Sequence, residues 1–188
     1  MLIQEDTLAG HMKKPLHNST MILRIIKIVL LLSYGVVIGL DGFNNLVQPG
    51  SGFSEVQHVM SMDTTGDDPA YMWRSVDNET LQAIGYGGMI ALQLLCGLLI
   101  FWAAWRMART IRCTAASFER AKSMGYLGLG LSVALWLGGF LGLGGYWFMM
   151  WLSSSFNATD GSFQQAVSAL LVLLVLMHRE NDPEAGSG

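Results

Sequence analysis

The chain has 188 residues, of which 52% are hydrophobic and only 13% charged, with a net charge of -3. A soluble domain carries about 25% charged residues, and its helices need a polar face that the longest apolar blocks here lack, which excludes an ordinary water-soluble bundle. The charge selects no partner by itself, because it averages basic segments with acidic ones.

Residues 1–20 form a polar N-terminal extension with Lys13, Lys14 and Pro15. It lacks the apolar core and small-residue cleavage site of a signal peptide. Met21–Leu40 is apolar apart from Arg24 and Lys27 and predicts a first span over about 21–43 that acts as an uncleaved anchor. A helix needs roughly 20 apolar residues to cross a bilayer core about 30 Å thick. Leu81–Trp105 and Met124–Phe148 contain no charge and predict the second and third spans. The fourth apolar block, Phe163–Met177, is shorter and needs residues 161–178 to cross; residues 179–188 are a tail. The expected fold class is all-α: a four-helix transmembrane bundle with a long outer loop carrying a short amphipathic helix.

Lys and Arg alternate between the connections. Arg24 and Lys27 open the first span, Arg106, Arg109, Arg112, Arg120 and Lys122 fill the middle loop, and Arg179 follows the fourth span. The other two loops hold only Arg74. Cytoplasmic loops accumulate such cations, so both termini and the middle loop are expected inside, in a bacterial inner membrane. Cys96 lies within a span and Cys113 in the basic loop, at different depths, which argues against a disulfide. Lipid supplies no hydrophobic drive for helix association, so small residues mark close packing. Gly35 and Gly39 form such a pair in the first span, and Gly130, Ala134, Gly138 and Gly142 a stripe along the third. Both are expected to pack within the bundle, although a homo-oligomer contact has the same signature.

Outside the spans, Phe53, Val56, Val59 and Met60 recur at helical spacing, with Glu55, His58 and Met62 turned away from them. Tyr71–Arg74 is an aromatic and cationic cluster, answered in the last loop by Tyr146, Trp147, Trp151 and Phe156. An interfacial aromatic belt accounts for such residues. The alternative is a cap formed by both loops, with a binding site at His58, Asp63, Trp73, Arg74, Tyr146, Trp147, Trp151 and Asn157. Within the spans, Asp41 and Gln93 are the polar groups at depth, and intramembrane polar groups are functional candidates by default.

The run Phe53-x-x-Val56-Gln57-His58-Val59-Met60-Ser61-Met62-Asp63-Thr64, followed by Met72-Trp73-Arg74, resembles the outer loop of a bacterial family of small integral membrane proteins, the domain of unknown function 2165. The likeness continues through Phe118-x-x-Ala121-Lys122 and Gly144-Gly145-Tyr146-Trp147-Phe148-Met149-Met150-Trp151, with Ser153 and Asn157, and spans roughly Met21 to Met177. It implies four transmembrane helices and no particular activity. Tyr146 stands where that family carries Glu, and Gln93 where it carries a second carboxylate, which weakens any case for proton or cation translocation.

Nothing in the sequence supports catalysis or a cofactor. No Gly-x-Ser-x-Gly occurs, and no histidine lies inside a span to ligate haem. The basic loop needs no nucleic acid to explain it. A metal site at His58 with Glu55 and Asp63 has a sparse ligand set. Two functions remain: an accessory or scaffold subunit that binds another membrane protein or itself, which the residues favour, and a small transporter or channel-like protein with a path near Asp41 and Gln93. In either case the lipid bilayer is the first partner.

Overall fold

The computed structural model describes residues 18–66 and 68–180, and their regular structure is helical throughout. Lys13, Lys14, Asp67 and the tail beyond Glu180 lie outside the described residues. Helix α1 (Asn18–Val47) begins within the expected extension. It is followed by α2 (Pro49–Ser61), the single turn α3 (Pro69–Met72) and α4 (Glu79–Arg109). The third apolar block comprises α5 (Ala115–Ala121), α6 (Ser123–Ala134) and a π-helical continuation, Leu135–Trp147. Helix α7 (Thr159–Met177) closes the chain.

Four of these segments, of 30, 31, 33 and 19 residues, are long and apolar enough to cross a membrane. At 1.5 Å per residue even the shortest reaches about 28 Å, close to the hydrocarbon thickness. They form a ring in which α1 packs on α4, α4 on α6, α6 on α7, and α7 back on α1. Leu31, Ile38, Ile100, Phe118 and Leu129 fill its centre. Large apolar side chains such as Ile22, Val29, Ile84, Leu98 and Leu171 face outward instead. In water such a surface would drive aggregation; in lipid it is the solvated surface.

Glycine sets the closest helix approaches. A Cβ on Gly97 would lie 3.1 Å from the Cα of Gly39, and one on Gly35 would lie 2.7 Å from Ile100 Cγ2. The α1 pair therefore meets α4 nearly backbone to backbone. The third-span stripe behaves differently, and the expectation that it packs inside the bundle is corrected. Gly130 and Gly138 have nothing within 4 Å of a built Cβ, Ala134 is exposed, and a Cβ on Gly142 would meet only the Leu137 carbonyl of its own segment. The inward positions are Gly125, Gly128 and Ser132, at the three- and four-residue spacing of an α-helical face. Gly130 sits two residues, more than half a turn, away from Gly128 and so points out.

The basic end is sealed by buried charge. Arg24 is 1% exposed and Lys122 fully buried. Arg24 Nε donates to Glu180 Oε2 at 2.6 Å, and its Nη1 donates to the carbonyls of Ile111 and Cys113, each at 2.7 Å. Its guanidinium lies over the Phe118 ring, 4.6 Å from the centroid. Lys27 Nζ donates to the His178 carbonyl at 2.8 Å and to Glu180 Oε1 at 3.3 Å. Lys122 Nζ donates to Glu119 Oε1 at 2.6 Å and to the same His178 carbonyl at 3.1 Å. Cations at the C-terminal end of α7 also suit its macrodipole. Arg24 and Lys27 thus bolt α1 to the middle loop and the segment after α7, a role beyond marking topology.

Candidate functional site: a cavity at the α2 end

The opposite end of the ring is open. A cavity of about 830 Å³ lies among α1, α4, the π segment and α7, with α2 above it. Its volume falls within the 300–1,000 Å³ typical of small-molecule sites.

Each wall follows from local sequence. The last turns of α1 supply Asp41, Asn44 and Asn45. From α4 comes Gln93, 1% exposed, whose Oε1 accepts from Asn45 Nδ2 at 3.3 Å. Below it, Gly42 lets the helices close, since its Cβ would lie 3.0 Å from Gln93 Cβ. The π segment contributes Trp136, Gly139 and Phe140, and α7 contributes Gln164 and Gln165. A π-helix has a wider turn and recurs at functional sites. Here its lining positions fall in adjacent pairs, Leu135 and Trp136, Gly139 and Phe140, Leu143 and Gly144, that recur every four residues along the segment. At mid-depth Tyr34 Oη lies near Ser132 and Trp136 without reaching hydrogen-bond geometry to either, and Trp136 Nε1 is likewise buried without a partner.

The roof is α2, started by Pro49 and stopped by Met62 in the left-handed region at φ 58°. It is fixed to α4 by the Phe53–Tyr86 ring contact, with centroids 5.6 Å apart, and by Gln57 Nε2 donating to Gln82 Oε1 at 3.3 Å. Tyr86 Oη donates to the Asn45 carbonyl at 3.0 Å and joins α4 to the end of α1. Two expectations for α2 change here. Met62 is fully buried rather than turned away, and Glu55 lines the cavity beside Val56, Val59 and Met60.

The predicted cap residues divide into separate groups. His58 Nδ1 lies 2.8 Å from Asp63 Oδ2 and its ring stacks on Phe156 at 4.4 Å, while Thr64 Oγ1 and Ser153 Oγ are 2.8 Å apart. These contacts join the two loops. Arg74 lies between Trp73 and Trp147, 5.4 and 5.3 Å from their ring centroids, and Nη1 donates to the Trp147 carbonyl at 3.5 Å. Tyr146 and Trp151, 70% and 51% exposed, join neither group and border a shallow recess near Phe163. Asn157 Oδ1 accepts from Thr159 N at 3.0 Å and from Thr159 Oγ1 at 2.6 Å, steadying the start of α7 at the cavity rim. The eight residues therefore do not converge on one site. Among the described residues, no three His, Cys, Asp or Glu side chains converge as metal ligands. Cys96 and Cys113 are free thiols.

Asp41 and Gln93, the two polar groups read at depth, do share one wall system. Sequence reading passed over Gln164, Gln165 and Trp136. The signal available was a pair of adjacent amides in a span otherwise almost wholly apolar.

Four apolar membrane-crossing helices, lipid-facing side chains and a largely apolar cavity with a few polar groups at one end define a small multi-pass integral membrane protein. The chain belongs to the family of predicted small integral membrane proteins designated DUF2165, whose sequence profile matches residues 23–179. No curated protein and no solved structure matches it.

Proposed function

We propose that this protein binds a small solute in the cavity beneath α2, as a transporter-type membrane protein in its outward-open form. The observation that carries the reading is the cavity itself: polar groups from α1, α4 and α7 gathered at one end of the ring. At the other end Arg24, Lys27 and Lys122 make a closed, fully paired seal. One open end and one sealed end is the arrangement that alternating access requires. The basic end faces the cytoplasm of a bacterial inner membrane by the positive-inside rule, so the cavity opens outward. The role is binding rather than catalysis.

Cysteine labelling tests this. Gly88 lines the cavity and a Cβ there meets nothing within 4 Å, whereas Gly130 is equally open but lies on the outward face of α6. In a Cys113→Ser background, Gly88→Cys should react with a membrane-impermeant maleimide added outside intact spheroplasts, and Gly130→Cys should not. Labelling of Gly88→Cys only after permeabilisation would reverse the orientation, and no labelling at all would refute a water-open cavity.

The outward stripe supports a second reading, an accessory or scaffold role. Gly130 and Gly138 leave their surroundings empty and Ala134 is exposed beside them, the surface on which another membrane helix packs closely. On this reading Ala134→Phe removes a partner or a second copy from the complex seen by cross-linking in native membranes. An unchanged cross-linking pattern would discard it.

A further inference from the structure

We propose that the cavity's ligand is an organic cation, an amine or quaternary ammonium compound with apolar substituents; this rests on the solute-binding reading above. Charge is the first argument. Among the described residues Asp41 and Glu55 are the only ionisable ones lining the cavity, and no described Lys, Arg or His lines it. The nearby basic side chains are committed elsewhere: the Arg74 guanidinium to Trp73 and Trp147, and the His58 ring to Asp63. Among the described residues neither cavity carboxylate is hydrogen-bonded or ion-paired. Asp41 is half-buried six residues before the end of α1 at Val47, about 9 Å along the helix. Asp41 faces the cavity rather than lipid, and a carboxylate so placed within a span marks a path or site for a cationic group.

Backbone dipoles do not reverse this sign. The C-terminal end of α1 and the N-terminal end of α7 both border the cavity. Their partial charges, about half a unit each and opposite, largely cancel, whereas the side chains carry up to two full negative charges.

The walls give the second argument. Trp136, Phe140, Phe148 and Phe156 line the same space as Met60 and Met89. Aromatic faces attract cations, most strongly where water is excluded, and thioethers adapt to irregular apolar groups. A bare metal ion would leave most of the roughly 830 Å³ unfilled. Asn44 and Asn45 add amide oxygens that can accept from the N–H of a protonated amine.

Tetraphenylphosphonium and tetraphenylborate, nearly identical in size and opposite in charge, provide the test. The full chain in nanodiscs of zwitterionic lipid is equilibrated with each ion against empty nanodiscs. Saturable binding of the phosphonium alone is expected, weakened about tenfold or more by Asp41→Asn, less by Glu55→Gln, and restored by Asp41→Glu. Asp41→Asn is isosteric and breaks no side-chain bond, and a wild-type melting temperature verifies its fold. Equal binding of both ions, or phosphonium binding unchanged by Asp41→Asn, overturns the cation assignment and leaves the solute cavity standing. Binding of neither ion also overturns it; the Gly88→Cys labelling then decides whether the cavity reading falls too.

Discussion

Replacing Arg24 by Ala should destabilise the protein by about 3–5 kcal/mol, the cost of breaking a buried ion pair by removing one partner. Arg24 is almost wholly buried, and its loss leaves Glu180, whose side chain is 5% exposed, with only the 3.3 Å contact to Lys27. The Ile111 and Cys113 carbonyls lose their guanidinium donor, and Phe118 loses the cation over its ring. Denaturation of the purified chain in mixed micelles measures the effect. Arg24→Lys should recover only part of it, since an ammonium cannot serve the carboxylate and both carbonyls with the same fork. A triple variant, Arg24→Met and Lys27→Met with Glu180→Met, should lie closer to wild type than Arg24→Ala, because it removes both cations together with the carboxylate they share and leaves none of the three charges unpaired. The segment after Met177 should also become sensitive to trypsin at Arg179 in Arg24→Ala. An Arg24→Ala protein that unfolds with the wild type would mean that the buried network holds nothing.

The same network marks the limit of what could be read from sequence. The four spans were legible because bilayer thickness imposes a length on each apolar block, and length is a local property. The role of Arg24 was not. Its partner Glu180 stands 156 residues away, and a cation opening a span looks the same whether it points to lipid headgroups or into a bundle. The cavity was half legible. Asp41 and Gln93 stood out as polar groups in apolar runs, yet their convergence with Gln164 and Gln165 depends on the order in which the helices close the ring. The glycines divide for a related reason. Gly35 and Gly39 face a neighbour that also carries a glycine, Gly97, whereas the third-span stripe has small residues on two faces, and spacing alone does not say which turns inward. The π turn adds to this, because it changes the period midway through a span.

That divided behaviour of glycine yields a second strong expectation: one substitution at two sites in α4 should have opposite signs. Gly97→Ala places a methyl group 3.1 Å from Gly39 Cα and 3.4 Å from Gly39 N. Both are backbone atoms, which move only if α1 moves as a whole. Overpacking of this kind costs about 1–3 kcal/mol, and Gly97→Val should exceed the alanine change. Gly87→Ala, in the same helix with nothing within 4 Å of its Cβ, should instead be neutral or stabilising by up to about 1 kcal/mol, the helix-propensity difference between the two residues. Unfolding of the two alanine variants in the same micelles separates contact from propensity, since propensity alone predicts a gain at both sites. The consequence extends to the cavity. Gly35, Gly39 and Gly42 hold α1 against α4 up to the level of Gln93, and beyond it Asn45 keeps the two helices joined through Gln93 and Tyr86 beside the cavity. Wedging the helices apart at Gly97 should therefore loosen the cavity floor and raise thiol labelling at Gly88→Cys, while Gly87→Ala leaves that labelling unchanged. A fall in stability without any change in labelling would uncouple the glycine contact from the cavity floor.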